Sequence, residues 1–298
     1  MKLLASSWFK RTILSIGLSG MAGSFVAAQE DASKLTQPVL RISKNEVVAP
    51  PPAAPHPLDP AINLAHQSLG MIQRDLADYT GVLVKRERIG NSLGEHEFMF
   101  VKIRNRKTDS NNQLTVPFSV YLAFLKPAAV KGREVIFVEN QNSGNLIAHE
   151  GGMKRMLGTH SLQPTGMLAM AGQRYPLTDI GIENLVFKLI ERGEKDKKYG
   201  TCNVDLIPGA KVSKRDCTII QVVHPVQQPH FDFHVAQIFM DDQLKIPVRY
   251  AAFDWPAKAG DSTGEVIEEY TYQDLKFNVG LTDADFDPNN KDYNFHKK

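Results

Sequence analysis

Hydrophobic positions change period along this chain, and each change marks an element. Ile62, Ala65, Leu69, Ile72 and Leu76 recur every three or four residues, giving one apolar helical face over about 60–78, with Asp59 and Pro60 suited to its start. From Tyr79 the period becomes two, as in a strand. Strands are predicted at 79–89, 95–104, 117–126, 133–139 and 145–150, joined by Gly90–Gly94, a polar loop at 105–113 and the turn Gln141-Asn142-Ser143-Gly144. In the third of these, Phe118, Val120, Leu122 and Phe124 share one face, while Tyr121, Ala123 and Leu125 share the other. Apolar residues on both faces predict a strand covered on two sides.

The middle of the chain departs from both periods. Gly151–Gly172 contains Met153, Met156, Met167 and Met170 among glycines and a proline. A second helix is predicted at about 179–192, with Ile182, Leu185, Val186, Leu189 and Ile190 as its stripe and Gly193 as its stop. Strands then follow at about 200–207, 217–224, 230–240, 245–254 and 264–279, with short links that imply antiparallel neighbours. The order helix, strands, helix, strands lacks the alternation of a doubly wound sheet. The fold class expected is α+β: a strongly curved antiparallel sheet of about ten strands, an open half-barrel, wrapped over one long and one shorter helix.

Composition adds an address. Lys2, Lys10 and Arg11 precede an apolar run from Thr12 to Val26 and the small residues Val26-Ala27-Ala28, which is the layout of a cleavable export signal over residues 1–28. The run of about 15 residues falls short of the roughly 20 that a spanning helix needs. No later segment is long and apolar enough to span a bilayer. Residues 29–59 are proline-rich, as in Pro50-Pro51-Pro52, and are expected to be an extended tether ahead of a single domain at 60–298. The location expected is therefore periplasmic or extracellular. The 42% hydrophobic content suits a sizeable core, and the net charge of +2 gives no pull towards nucleic acid. An exported chain allows a bridge between Cys202 and Cys217, whose intervening Pro208-Gly209 suggests a hairpin turn.

Several residue clusters carry candidate chemistry. His230, Asp232 and His234 alternate on the strand expected at 230–240, with His224 nearby, and so offer zinc-like ligands or a polar strand face. Asp283, Asp285 and Asp287 imitate the start of a calcium loop, but Pro288 and Asn294 stand where that loop needs Gly and Glu. His149-Glu150 continues as Gly151-Gly152, so the two-histidine zinc-protease motif is absent, as are a nucleophile elbow and a phosphate loop. Lys85-Arg86-Glu87-Arg88 is a charge run expected to form a solvated rim or a basic mouth. No metal site and no cofactor is expected, nor is an enzyme, apart from a diffuse hydrolase built on His149 and Glu150.

The chain resembles a known family at Tyr79-Thr80-Gly81-Val82-Leu83-Val84-Lys85-Arg86-Glu87-Arg88, Pro117–Leu122, Gly132–Ile136, Ala148-His149-Glu150-Gly151-Gly152 and Tyr270–Asn278. These segments are similar to the bacterial secreted domain of unknown function DUF1571. The order of elements also resembles the periplasmic lipoprotein carrier (LolA-like) fold, in which a half-barrel closes over an apolar cavity. That resemblance implies non-enzymatic binding of lipid, lipoprotein or another apolar ligand in the cell envelope. The candidate lining is Phe118, Val120, Leu122 and Phe124, with Met153, Met156, Met167 and Met170 as an adaptable lid. The alternative is an envelope structural or interaction module whose core is filled, since periodicity does not separate lining from packing.

Overall fold

The computed structural model of the chain describes residues 55–200, 202–257 and 263–295. The segment expected to be an export signal, and nearly all of the proline-rich stretch, lie outside the described residues. The elements in chain order are α1 (Asp59–Asp75), β1 (Asp78–Ile89), β2 (Ser92–Leu93), β3 (Glu97–Arg104), β4 (Lys107–Thr108), β5 (Leu114–Val116), β6 (Ser119–Lys126), β7 (Glu134–Val138), β8 (Leu146–His149) and β9 (Thr159–Leu162). Then come α2 (Met167–Met170), α3 (Ile182–Asp196), β10 (Asn203–Val212), β11 (Arg215–Val223), β12 (Val235–Asp241), β13 (Pro247–Phe253) and β14 (Val266–Phe277).

One antiparallel sheet carries most of these strands, in the order β10-β11-β12-β13-β14-β1-β3-β6-β7-β8-β9, with β2 paired to β1. It is open, with β10 and β9 as its edges, so the expected curved, unclosed α+β sheet is what forms. β14 and β1 join its two halves, from Tyr79 opposite Phe277 to Glu87 opposite Glu268. β9 lies inside the methionine-rich segment, where no period of two is visible. The polar loop after β3 folds into the small β4-β5 ribbon.

The two faces of the sheet are covered differently. On one face α1 and α3 pack together and against β10–β14, where Ile62, Ile220, Phe233, Ile238 and Tyr250 form a core cluster. Helix α3 does not stop at Gly193. It runs to Asp196, and Gly193 is the contact point with α1, since a side chain there would meet Ile62 at 3.0 Å. Residues ahead of α1 also pack: Leu58 is buried and His56 bonds to the carbonyl of Gly200. Asp59 does not cap α1 with its side chain; it accepts from the His56 amide and pairs with Lys197.

On the opposite face, the C-terminal residues 281–295 lie across β3, β6 and β7. Phe286, Tyr293 and Phe295 pack with Tyr121, Ile136 and Val138, and the rings of Tyr121 and Tyr293 stack at 4.1 Å. This cover explains why β6 is apolar on both sides. Asp283 and Asp285 serve the same cover: Asp283 pairs with Arg104 and Asp285 with Lys102, both outward-facing residues of β3. Asp287 accepts from the backbone and side chain of Asn289. The three acids therefore do not converge as calcium ligands.

Candidate functional site

Where α1 and α3 end, the inner face of the sheet stays hollow. A cavity of about 800 Å³ lies between β1, β3, β6, β7 and β8 below, the segment 154–181 above and α3 at the side. Its floor is built by period-two alternation. Leu83 of β1, Met99 of β3, Leu122 and Phe124 of β6, Val135 of β7, and Leu146 and Ala148 of β8 all point into it. Leu157, Leu162, Leu168 and Ala169 roof it, and Leu185 and Leu189 of α3 close one side. Beneath the α1–α3 pair the pocket between helices and sheet holds about 70 Å³, so that half of the concave face is nearly filled where the other is open.

Part of the cavity lining is polar, and the charge run on β1 supplies some of it. Alternation sends Lys85 and Glu87 inward and Arg86 and Arg88 outward, where they reach the Gly94 and Val266 carbonyls. The run is therefore not simply a rim: Glu87 is buried. The Tyr270 hydroxyl donates to Glu87 Oε1 at 2.6 Å, and Lys85 lies 3.1 Å from Glu97 and 3.5 Å from Glu87 while bonding Gln173. Glu268, register partner of Glu87, accepts from Arg174 Nε at 2.8 Å and from the Tyr175 hydroxyl at 3.2 Å.

Burial pushes the Glu268 carboxyl above the usual range, against the pull of Arg174 and Arg192. Burial and the neighbouring Glu268 and Glu87 push the Tyr270 phenol far above its ordinary value. At Arg192 burial works against the charge, but Tyr250, Tyr175, Asp232 and Glu268 outweigh it and hold the guanidinium above its usual value. The result is a satisfied, charge-balanced patch, which a sequence period cannot reveal because Lys and Glu normally read as outside.

The roof begins at the Gly151-Gly152 pair. A side chain at Gly151 would sit 2.1 Å from the Arg133 amide, and one at Gly152, whose φ is +57°, 2.2 Å from the Ala129 carbonyl. Both positions require glycine for the chain to turn back over the β6–β7 loop. At its other end the roof is tied down by Arg174, whose amide donates to Glu87 Oε2 at 3.0 Å.

The candidate lining residues fall in different surroundings. Leu122 and Phe124 face the cavity. Val120 is on the same face but fully buried in the packed core, with Phe118 against it. Met153, Met156 and Met167 turn outward and are 95%, 99% and 89% exposed, and Met170 does not line the cavity either. The segment does cover the cavity, but through Leu157, Leu168 and Ala169. Its irregular backbone hides from sequence inspection which residues turn inward.

Other expected groupings disperse. His149 and Glu150 lie on opposite faces of the sheet. His149 bonds Thr159 at 2.9 Å and packs on Phe295, whereas Glu150 pairs with Arg133 at 2.9 Å beside the cavity. Residues 230–234 form a loop ahead of β12 rather than part of the strand. His230 stacks on Tyr199, Asp232 pairs with Arg192 at 3.3 Å, and His234 bonds the His224 carbonyl at 2.8 Å. Among the described residues no three His, Cys, Asp or Glu side chains form a metal-holding group, and no helix is long and apolar enough to cross a membrane.

The Cys202–Cys217 bridge does not form; both thiols are free and buried. Pro208-Gly209 is a bulge in β10 and not the turn, which lies at Ser213-Lys214. Cys217 pairs with Ala210, while Asn203 pairs with Val223. The two cysteines therefore sit at opposite ends of the hairpin, about 20 Å apart at strand spacing, beyond the reach of a disulfide.

The chain matches the family described as "Protein of unknown function (DUF1571)" over residues 76–295. The chain belongs to the DUF1571 family. The DUF1571 span holds every strand, the cavity roof and α3, whereas α1 lies ahead of it. No curated protein matches the chain. Among solved structures, the chain is similar to a DUF1329 family protein from Desulfovibrio piger, with 13% identity, 78% of this chain and 98% of that chain covered, and a TM-score of 0.38. It is similar to a chain of the Pseudomonas aeruginosa MucA/MucB complex, at 14% identity, 76% and 60% coverage and a TM-score of 0.41, so it spans less than two thirds of that chain. A LolA superfamily protein from Nitrosomonas europaea is similar at 10% identity, 75% and 97% coverage and a TM-score of 0.29.

Proposed function

We propose that this DUF1571 protein is a non-enzymatic binding protein of the cell envelope that holds an apolar chain, such as an acyl chain of a lipid or lipoprotein, in the roofed half of its concave face. The observation that carries this is the cavity of about 800 Å³ with leucine, methionine, phenylalanine and valine walls. Its size falls within the range of small-molecule sites, and the polar groups among its walls, such as Lys85, Glu150 and Glu268, suit orientation of a ligand. Each methylene moved from water into such walls contributes about 0.8 kcal/mol. Ten of them supply about 8 kcal/mol, the equivalent of micromolar binding before ordering costs are subtracted. The pattern of residues 1–28 supports the envelope as the place where this happens.

Native mass spectrometry of the purified protein, together with titration of a fluorescent fatty acyl probe, tests this function. A copurifying lipid or saturable probe uptake is expected. Ala148→Phe, which places a ring in the cavity from β8, is expected to lower probe affinity at least about tenfold while leaving the melting temperature unchanged or higher. A protein that neither carries lipid nor takes up the probe, or an Ala148→Phe variant with undiminished uptake, overturns the proposal.

A further inference from the structure

The roof of the cavity has an outer face that the ligand-binding function does not use. Between Glu150 and Asp179 the chain contains no acidic residue. Within this stretch the 3-10 turn Gly152–Leu157 raises Met153 and Met156 almost wholly into solvent, and Met167 on α2 is 89% exposed as well. Leu157 and Leu168 are also exposed, yet both line the cavity. The apolar outer patch is thus continuous with the cavity mouth. Apolar side chains gathered this way on a surface mark a contact site.

Charge decides what the contact is with. Lys154 and Arg155 sit between Met153 and Met156 in the chain; Lys154 also reaches the cavity edge, and neither side chain has a hydrogen-bonding or acidic partner among the described residues, whereas the other basic group of the stretch with a fixed charge, Arg174, is consumed by Glu268. A water-facing surface would not present bare methionines, and an apolar protein groove would leave two unpaired cations to be desolvated. Apolar side chains that enter the acyl boundary, flanked by cations at head-group level, are the chemistry of interfacial attachment. Methionine also remodels readily around a disordered apolar surface.

We infer that the outer face of the Gly151–Thr178 roof docks on an anionic phospholipid bilayer, with Met153, Met156 and Met167 inserted and Lys154 and Arg155 among the head groups. Docking here sets the cavity mouth against the bilayer. It does not require the cavity to be loaded, and it can fail while ligand binding stands.

The test places a polarity-sensitive fluorophore at the roof of the full chain, as M156C labelled under native conditions, where Cys202 and Cys217 are buried. Vesicles of phosphatidylglycerol mixed with phosphatidylcholine are compared with phosphatidylcholine alone. The expected result is a saturable blue shift on the anionic vesicles only, weakened by added salt. Adding K154Q and R155Q, which touches no packed group, is expected to weaken the apparent affinity about fivefold per cation, or roughly 25-fold together. No shift, an equal shift on neutral vesicles, or a shift indifferent to K154Q/R155Q overturns the inference; vesicle binding through another part of the chain leaves the fluorophore unmoved and counts against it. Acyl-probe uptake without vesicles is read separately, and A148F is expected to weaken that uptake while keeping the blue shift, so ligand binding and docking fail on different measurements.

Discussion

Arg174 donates from Nε to Oε2 of Glu268 at 2.8 Å, which fastens the roof of the cavity to the strand at the centre of the sheet. The same residue donates its amide to Glu87 and a guanidinium N–H to the Arg88 carbonyl at 3.1 Å. Two carboxylates on neighbouring strands thus hold one roof residue. Arg174→Met keeps the stem but leaves Glu268 without its main cation. Breaking such a buried pair costs about 3 kcal/mol, discounted to about 1–3 because Arg174 is partly solvated. Hydrogen exchange should show faster opening at 151–178 than in β1 or β14. Equal protection of the roof in both proteins would disprove the anchor.

Tyr79 makes a second tie, between the sheet and α3. Its buried hydroxyl accepts from the Ile182 amide, the first of α3, at 2.8 Å. Tyr79→Phe leaves that amide unpaired in the core, and a loss of about 1–3 kcal/mol is expected in urea unfolding at unchanged slope. An unaltered midpoint would mean that the bond contributes nothing.

Asp196 predicts a pH dependence. Its Oδ2 lies 3.5 Å from Nε2 of the fully buried His224. The other ring nitrogen, Nδ1, lies 3.2 Å from the Phe233 carbonyl and must donate to it, so Nε2 is a bare acceptor facing a carboxyl. Burial raises Asp196 to about 6, against Arg192 and Lys195 and with Asp232 adding to the rise. Burial also lowers His224, against the Phe233 carbonyl and with His230, His234 and Arg192 alongside. The folded state therefore binds the Asp196 proton more tightly than the unfolded state. Its contribution is complete below about 3.8 and is lost as pH rises through about 6. His224 acts in the opposite direction, losing its contribution as pH falls from 6.5 through its lowered value. Asp196→Asn removes the first effect only. From pH 4 to 7 the variant should gain about 2–3 kcal/mol on the parent in urea unfolding. Parallel stability curves would rule this out.

Cys202 and Cys217 should behave as two slow thiols. Burial pushes Cys202 up to about 11 and raises Cys217 as well, so little of either is thiolate at neutral pH. An aromatic disulfide reagent is expected to find almost nothing in the native protein and two thiols per chain in denaturant. A linked Cys202–Cys217 peptide from the native protein would contradict the β10–β11 register.

Much of this could be seen in the order of residues. The stripe from Ile62 to Leu76 predicts α1, and the alternation in β6 places Leu122 and Phe124 on one face and Tyr121 on the other. What could not be seen shares a physical cause: local pattern reports which side a residue faces, not what stands opposite. Leu122 lines a cavity and Val120 is packed solid, yet both obey the same period. Lys85 and Glu87 look like surface until Arg174 and Tyr270, distant in the chain, arrive to satisfy them. Pro208-Gly209 has the composition of a turn, but pairing with β11 makes it a bulge and carries the cysteines apart.

Residue order alone was enough for most of the long strands, the two longer helices and the two faces of β6, because side-chain periods of 2 and 3.6 are properties of a single segment. Tertiary structure alone decided that α1 and α3 fill one half of the sheet's inner face and leave the other hollow. It decided, too, that Leu157, Leu168 and Ala169 of the roof reach the cavity while Met153, Met156 and Met167 face away. Both outcomes depend on the space between elements, and no segment encodes that space alone.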